Sequence, residues 1–352
     1  MVFPKNNIYD LSLEDLKART STLKVPSFRS KQIWEGLYQH LYQDFSDFSN
    51  LPKALRSILD EQYTLGTIES IQSINSKDLR TTKTLFRLTD ELLIEAVLMK
   101  YTQRRTICIS TQVGCQVGCK FCATGQMGFT RNLTSGEIIE QVLHFQKALA
   151  DQDDHLTNIV FMGMGEPFLN FDATMESIDS LNHPEGFNFG ERRFTISSVG
   201  IPPAIIHFAD MKRQINLAIS LHAANDATRD QIIPINKKYP IKELIPVCKY
   251  YTRMTNRRIT FEWALIDNLN DSRDHALELS QLLKGMLCHV NLIPLNTTSK
   301  FNRRGSNSNQ VSTFESVLRE NKIPVSVRVA RGLEINAGCG QLAAKHQSDH
   351  MI

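Results

Sequence analysis

The chain contains no run of about 18–20 apolar residues of the kind that spans a bilayer. Its opening residues, Met1-Val2-Phe3-Pro4-Lys5-Asn6-Asn7, hold no apolar export core. Glycine and proline are sparse, 17 and 12 in 352 residues, and no low-complexity stretch or short-period repeat occurs, which excludes a collagen-like or disordered chain. A strong charge of one sign is also missing. The 40 Lys and Arg against 37 Asp and Glu leave +3, only a weak pointer to a polyanionic partner. Cysteines number seven, and an odd count in a chain without an export signal argues against a disulfide framework. The expectation is a cytoplasmic, membrane-free protein. Its 41% hydrophobic content is ample for a sizeable core, and its length fits two or three domains or one barrel with an appendage.

The chain divides into three stretches. Residues 1–65 read as short helices: Ser12 and Asp15 fit a capping box, Trp34, Leu37, Tyr38 and Leu41 recur near helical spacing, and Pro52 suits the first turn of another helix. That aromatic stripe reads as core rather than as an RNA-stacking surface. Residues 66–100 become strand-like, with a hairpin turn at Thr89-Asp90-Glu91. From 101 to 345 strands and helices alternate. Strands are expected at 106–110, 158–162, 194–198, 216–221, 259–265 and 290–295, with helices between them. Repeated β/α units imply a parallel sheet, open or curled into a barrel. The polar segment 299–310 resembles a mobile loop.

The strongest chemical signal is Cys115-Gln116-Val117-Gly118-Cys119-Lys120-Phe121-Cys122, in the loop after the first β/α strand. Three thiolates from one short loop hold three irons of a four-iron cluster and leave the fourth open to an exogenous ligand. A zinc site is the alternative. It needs a fourth protein ligand, for which only His144 or Cys108 is available by folding. The doublets Arg104-Arg105, Arg192-Arg193, Arg257-Arg258 and Arg303-Arg304 are either phosphate contacts or solvated surface charge.

Cys115, Cys119 and Cys122, with Phe121 before the third, resemble the signature of radical S-adenosylmethionine enzymes. Cys108-Ile109-Ser110-Thr111-Gln112-Val113-Gly114, Ala123-Thr124-Gly125-Gln126-Met127-Gly128-Phe129, Phe161-Met162-Gly163-Met164-Gly165-Glu166-Pro167, Ser220-Leu221-His222 and Ala337-Gly338-Cys339-Gly340-Gln341-Leu342 narrow the resemblance to the RlmN family. The resemblance implies an α/β fold: a partial (β/α)6 barrel over 101–345 with a small N-terminal helical, RNA-binding accessory domain over 1–65 and a β-hairpin linker over 66–100 that carries Glu95. It also implies a [4Fe-4S] cluster held by Cys115, Cys119 and Cys122. Two molecules of S-adenosylmethionine are consumed per turnover, with Gly165, Glu166, Ser197, Ser220, Leu221, His222 and Asn296 around the cofactor. The implied reaction methylates C2 of adenosine 2503 in 23S rRNA and of adenosine 37 in tRNAs. In it Cys339 carries the methyl group, Glu95 removes the C2 proton, and Cys108 resolves the adduct by a transient disulfide with Cys339. The expected partners are 23S rRNA, tRNA and a flavodoxin or ferredoxin, for a monomeric enzyme.

These roles make chemical sense. Carbon 2 of adenine is a poor nucleophile toward a sulfonium, so a radical is a plausible route. Glycines on both sides of Cys339 favour a flexible loop, whereas Cys108 alone reads as a core strand residue, as do Cys248 and Cys288. Alternation alone places Glu95 on a solvated strand face. Two rivals remain open: a Cfr-type enzyme that methylates C8 of the same rRNA adenosine, and a non-enzymatic iron–sulfur or zinc RNA-binding module.

Overall fold

The structure is a computed structural model that describes residues 5–298, 300–328 and 341–343. Strand β1 (Asn6–Asn7) pairs in parallel with β2 (Tyr63–Thr64) and closes a helical unit of α1 (Leu13–Thr22), α2 (Phe28–Tyr38) and α3 (Lys53–Gln62). The Ser12–Asp15 capping box starts α1 as expected. Trp34, Tyr38, Phe45 and Phe48 are buried, so the aromatic stripe is core. The unit is bolted to α5 (Ser135–Ala150) by polar contacts. Asn7 Nδ2 donates to Glu140 Oε1 at 2.6 Å, and the Gly136 N–H donates to Asp10 Oδ1 at 2.7 Å. Burial raises the Glu140 carboxyl to about 7, although Thr67, Ile68 and Asn7 all donate to it.

A ten-stranded sheet carries most of the rest. β3 (Ile68–Asn75), β4 (Thr81–Leu88) and β5 (Leu93–Lys100) run antiparallel, and β5 pairs antiparallel with β6 (Arg105–Cys108). The hairpin region therefore continues the barrel sheet. Beyond it β9 (Asn158–Phe161), β10 (Phe194–Ser198), β11 (Asn216–Ser220), β12 (Ile259–Leu265) and β13 (Cys288–Pro294) follow in parallel, as the sequence pattern expects. A further strand, β14 (Val325–Val327), joins the edge and makes seven parallel strands rather than six. Crossover helices cover the outer face: α5, α6 (Phe171–Asn182), α7 (Pro202–Asp210), α8 (Asp226–Ile232), α9 (Ile241–Thr255), α10 (Arg273–Leu282) and α11 (Ser308–Glu320).

Side-chain alternation separates the two faces. Outward residues such as Ile159, Ile196, Ile219, Phe261 and Leu292 are fully buried against the helices. Inward positions carry polar residues, among them Ser197, Ser220, Thr260 and Glu262. This leaves a lumen whose upper end, at the C-terminal ends of the strands, is the usual place for chemistry in such barrels. The 300–307 segment, expected to be loose, is held by a bridge between Ile266 and Gly305 and by Ser306 Oγ donating to Asp271 Oδ2 at 2.6 Å; Ser299 lies outside the described residues. Among the described residues no helix is long and apolar enough to cross a membrane.

Candidate active site

The cysteine loop leaves a small ribbon of β7 (Gln112–Gly114) and β8 (Phe129–Asn132) and ends in α4 (Ala123–Gln126). The Cys115 N–H donates to Gly128 O at 2.7 Å. Gly114 has φ +74, and a Cβ there would meet the Gly128 oxygen at 1.9 Å, so only glycine closes the ribbon. Gly125 lets α4 lie on the loop, because a Cβ would come within 2.8 Å of the Cys119 backbone N and O. The Lys120 N–H donates to Ile232 O at 2.9 Å and ties the loop to the end of α8.

All three thiols line one cavity of about 320 Å³, shared with Gly165, Glu166, Ser197, Ser220, His222 and Asn296. Of the cofactor residues expected from sequence, only Leu221 is not in its wall; it is fully buried, and its carbonyl oxygen accepts from Arg229 Nε at 3.0 Å. The donor set fits an iron–sulfur cluster: three thiols on one wall with space beside them. The two candidate fourth ligands for zinc lie elsewhere. His144 packs edge-on against Phe86 and Phe145, and Cys108 sits with Val97 and Val160. Among the described residues, no three His, Cys, Asp or Glu side chains gather around a single ion position.

Burial dominates the electrostatics. It pushes the Cys115 thiol up to about 12 and Cys119 well above its ordinary value, so both thiols are protonated until a metal displaces the proton. Burial likewise lifts Glu166 to about 7, against N–H donors from Val199 at 2.7 Å and Phe168 at 3.1 Å. His222 is driven down to about 3, first by burial and then by the Arg229 charge. Its Nδ1 accepts from the Ala264 N–H at 2.9 Å, which assigns the proton to Nε2 of a neutral ring. Arg229 is itself fully buried. Its guanidinium donates to Val199 O at 2.6 Å, Ser220 O at 3.2 Å and Asn236 Oδ1 at 2.8 Å, locking the ends of β10 and β11 beside the cysteine loop.

Glu95 and Cys108 stand on the same face of neighbouring strands, since Cys108 pairs with Val97, two residues from Glu95. Neither lines the cavity itself. The alternation that turns Glu95 toward water is overturned: the residue is only 2% exposed. β5 lies inside the sheet, and residues 341–343 pack over this part of it. The Ala343 N–H donates to Glu95 Oε1 at 2.5 Å, and Lys83 Nζ lies 2.7 Å from Oε2 in a fully buried ion pair. Ser110 ties the β5 backbone beside this pair to the loop after β9: its Oγ donates to the Glu95 backbone O at 2.6 Å and accepts from the Met164 N–H at 2.9 Å. Gln341, two residues along the chain from Cys339, is part of the cavity wall; Cys339 itself lies outside the described residues.

Sequence reasoning missed Lys83, Gln112, Arg229 and Glu262. Gln112 Oε1 accepts from the Glu166 N–H at 2.9 Å, and Glu262 accepts from Asn291 Nδ2 at 2.8 Å in the lumen wall. Each works through partners from distant strands, and a single sequence carries no signal for such convergence.

Comparison with known proteins agrees with this geometry. Residues 109–280 match the radical SAM superfamily, and residues 6–65 match the ribosomal RNA large subunit methyltransferase N-terminal domain. A probable dual-specificity RNA methyltransferase RlmN from Geobacillus kaustophilus is 43% identical over 98% of this chain and 94% of its own length. Its counterpart from Clostridium tetani is 45% identical over 98% of both chains. A crystal structure of a radical SAM methyltransferase from Sphaerobacter thermophilus superimposes with a TM-score of 0.93 at 46% identity, covering 96% of this chain and 98% of that one.

Proposed function

The chain belongs to the RlmN family of the radical S-adenosylmethionine superfamily, and from that premise we propose that it methylates C2 of adenosine 2503 in 23S rRNA and of adenosine 37 in tRNAs. The observation that carries the reading is the single cavity in which Cys115, Cys119 and Cys122 face Glu166, Ser197, Ser220, His222 and Asn296, with Gln341 from the Cys339 segment closing the wall. The three cysteines hold the cluster and the other side chains hold S-adenosylmethionine. When bound, the two supply a deoxyadenosyl radical.

The chain's own groups do the rest. Glu166 presents a buried carboxyl, fixed by two backbone N–H groups, to the cofactor's ammonium. The neutral His222 offers a fixed imidazole, and Arg229 keeps the β10 and β11 ends in place. Cys339 takes up the methyl group as a thioether and, once a hydrogen atom has been removed from it, joins through that carbon to adenine C2. Glu95 accepts the C2 proton, its carboxylate held in an apolar surrounding by the Lys83 ammonium. The Ala343 N–H on Oε1 couples this base to the segment that follows Cys339. The Cys108 thiol then loses its proton and bonds to the Cys339 sulfur as the sulfur–methylene bond breaks; the electron pair of that bond stays on the carbon, which takes up a proton to become the methyl group of the released RNA. Each turnover uses two S-adenosylmethionine molecules, with electrons from a flavodoxin or ferredoxin, in a cytoplasmic monomer built from residues 1–65, 66–100 and 101–345.

The test is methylation of a 23S rRNA fragment and a tRNA transcript by reduced, cluster-loaded protein, read by nucleoside mass spectrometry. The expected product is 2-methyladenosine in both. Finding 8-methyladenosine identifies the Cfr-type reaction instead, and absence of deoxyadenosine release identifies a non-enzymatic binding module.

A further inference from the structure

Arginines converge at the end of the barrel opposite the cysteines. The lower lumen is a cavity of about 1210 Å³, and its wall includes Arg104, Arg192, Arg257, Arg258 and His289. Arg104 and Arg257-Arg258 immediately precede β6 and β12, and Arg192 lies one residue short of β10, so parallel strands bring them to one mouth. Three of the four doublets noted in the sequence thus meet here, and the structure sorts their members. Arg105 is neutralised by Asp154 at 2.5 Å and Arg193 lies over the Phe189 ring away from the wall, while Arg104, Arg192, Arg257 and Arg258 line the lumen, Arg104 over the Tyr101 ring at 4.9 Å.

Closed β/α barrels fill this region with branched apolar side chains. Here the inward positions nearest the mouth are Asn158, Thr195, Asn216 and Thr260, with Val160, Met162 and Ala218 next along the strands, and the space stays open. Arg192 and Arg257 both donate to Gln214 Oε1, at 3.5 and 3.2 Å, so two guanidinium groups share one neutral oxygen. Arg257 also donates to Asn216 Oδ1, and its Nε is buried without a hydrogen-bond partner. Among the described residues none of the four mouth arginines pairs with a carboxylate, although neighbouring Arg213 engages both Asp179 and Glu191. His289 adds no charge: burial, then the charges of Arg258 and Arg319, hold it below the usual imidazole range. Among the described residues the one acid in the wall, Glu262, accepts from Asn291 and sits near Arg328, where the lower and upper cavities adjoin. Four uncompensated cations in a walled cleft focus a strong positive field.

We propose that this mouth binds the phosphate backbone of the RNA substrate, at a segment remote from the reacting adenosine. This rests on the reading that RNA is the substrate. Guanidinium forks match phosphate oxygens in geometry as well as charge. From β6 to β12 is four strand spacings, about 19 Å along the sheet. Arg192 and Arg257 meet at Gln214, while Arg104 precedes β6, two strands round from β10, so the cations follow the mouth in a line that suits a chain of phosphates.

The experiment uses full-length, cluster-loaded enzyme and an unmodified tRNA transcript, with affinity measured by fluorescence anisotropy across a salt series. The variants are a triple Arg192→Gln, Arg257→Gln, Arg258→Gln and a control Arg303→Gln, Arg304→Gln from the doublet outside the mouth. The triple variant is expected to bind at least tenfold more weakly and to lose about 2–3 from the slope of log K against log salt, since each phosphate contact carries roughly 0.7–0.9; the control keeps both. If the triple variant lacks the wild-type iron content or unfolding midpoint, the exposed single changes Arg192→Gln and Arg258→Gln are read instead, each expected to remove about 0.7–0.9. Wild-type slope and affinity in folded mouth variants overturn the proposal. So does a mouth that binds inorganic pyrophosphate while its variants hold RNA normally, because the site then serves a free anion. Wild-type protein that binds no RNA at all defeats the substrate reading first, and that result is distinct.

Discussion

The two ends of the lumen are built on opposite physical plans. At the upper end the working groups are buried, and burial shifts Cys115, Cys119, Glu166 and His222 away from their ordinary proton affinities. At the lower end Arg104, Arg192 and Arg258 stay exposed, and the effect comes from like charges that, among the described residues, no carboxylate pairs with. The difference teaches where each kind of recognition is placed. Chemistry on a small cofactor needs desolvated, fixed groups, whereas a long polyanion is gripped by solvated charge. The upper end should therefore answer to pH and packing, and the lower end to salt.

The sharpest break in that contrast is removal of a cluster thiol. Cys119→Ala should lower bound iron from about four per chain to near none and abolish deoxyadenosine release. Iron assay and product chromatography check this, and an iron-free variant that still cleaves the cofactor counts against the site.

Next in size is the buried pair beside the upper cavity. Lys83→Met strands the Glu95 carboxylate in a fully buried place and should cost about 3–5 kcal/mol in a denaturant titration. Lys83→Met combined with Glu95→Leu should recover much of that loss, because the uncompensated charge is gone. Equal costs for the single and double variants would show that packing, not charge, sets the effect.

A smaller effect follows from proton linkage in cluster-free protein. His222 falls from its ordinary 6.5 to about 3, so the unfolded chain binds more protons between those values, and stability is lost as pH drops through that window. Glu166 rises from 4.5 to about 7, so the folded state binds the extra proton and stability declines as pH climbs from 4.5 to 7. The slope in each window is at most about 1.4 kcal/mol per pH unit. Glu166→Gln should thus gain on wild type as pH rises to 7, and His222→Asn should lose less on acidification. Denaturation midpoints at several pH values decide both.

The smallest expected change is at Ser110. Ser110→Ala removes the hydroxyl between Glu95 O and the Met164 N–H, and should cost about 1–3 kcal/mol. If Ser110 serves only stability, the fraction of adduct resolved per RNA bound stays at the wild-type level; a fall shows that it also positions Glu95.

Much of the upper end was legible because it is written locally. The cysteine loop, Gly163–Pro167 and Ser220-Leu221-His222 each lie at the end of a strand with clear periodicity, so the sequence alone places all three at strand ends. β14 escaped because three residues are too few to show a period. Glu95 was turned the wrong way because alternation reports one exposed face, whereas β5 is buried on both. Lys83, in Thr82-Lys83-Thr84, reads as an exposed strand position; only the register of β4 on β5 brings it to Glu95. Arg229 looks like a surface residue of a short helix until Val199, Ser220 and Leu221 gather their carbonyl groups around it. The arginine doublets were visible as doublets, but the common mouth depends on parallel strands that start at one level.

The central claim is that two thiols outside the cluster share the work, one carrying the methyl group and one cutting the tether. Cys108→Ala, purified from cells, resolved on a denaturing gel and mapped by nuclease digestion and peptide mass spectrometry, tests it directly. The expected result is an adenosine joined through a methylene carbon to the peptide containing Cys339. A Cys108→Ala protein that carries no RNA and methylates normally would contradict the account.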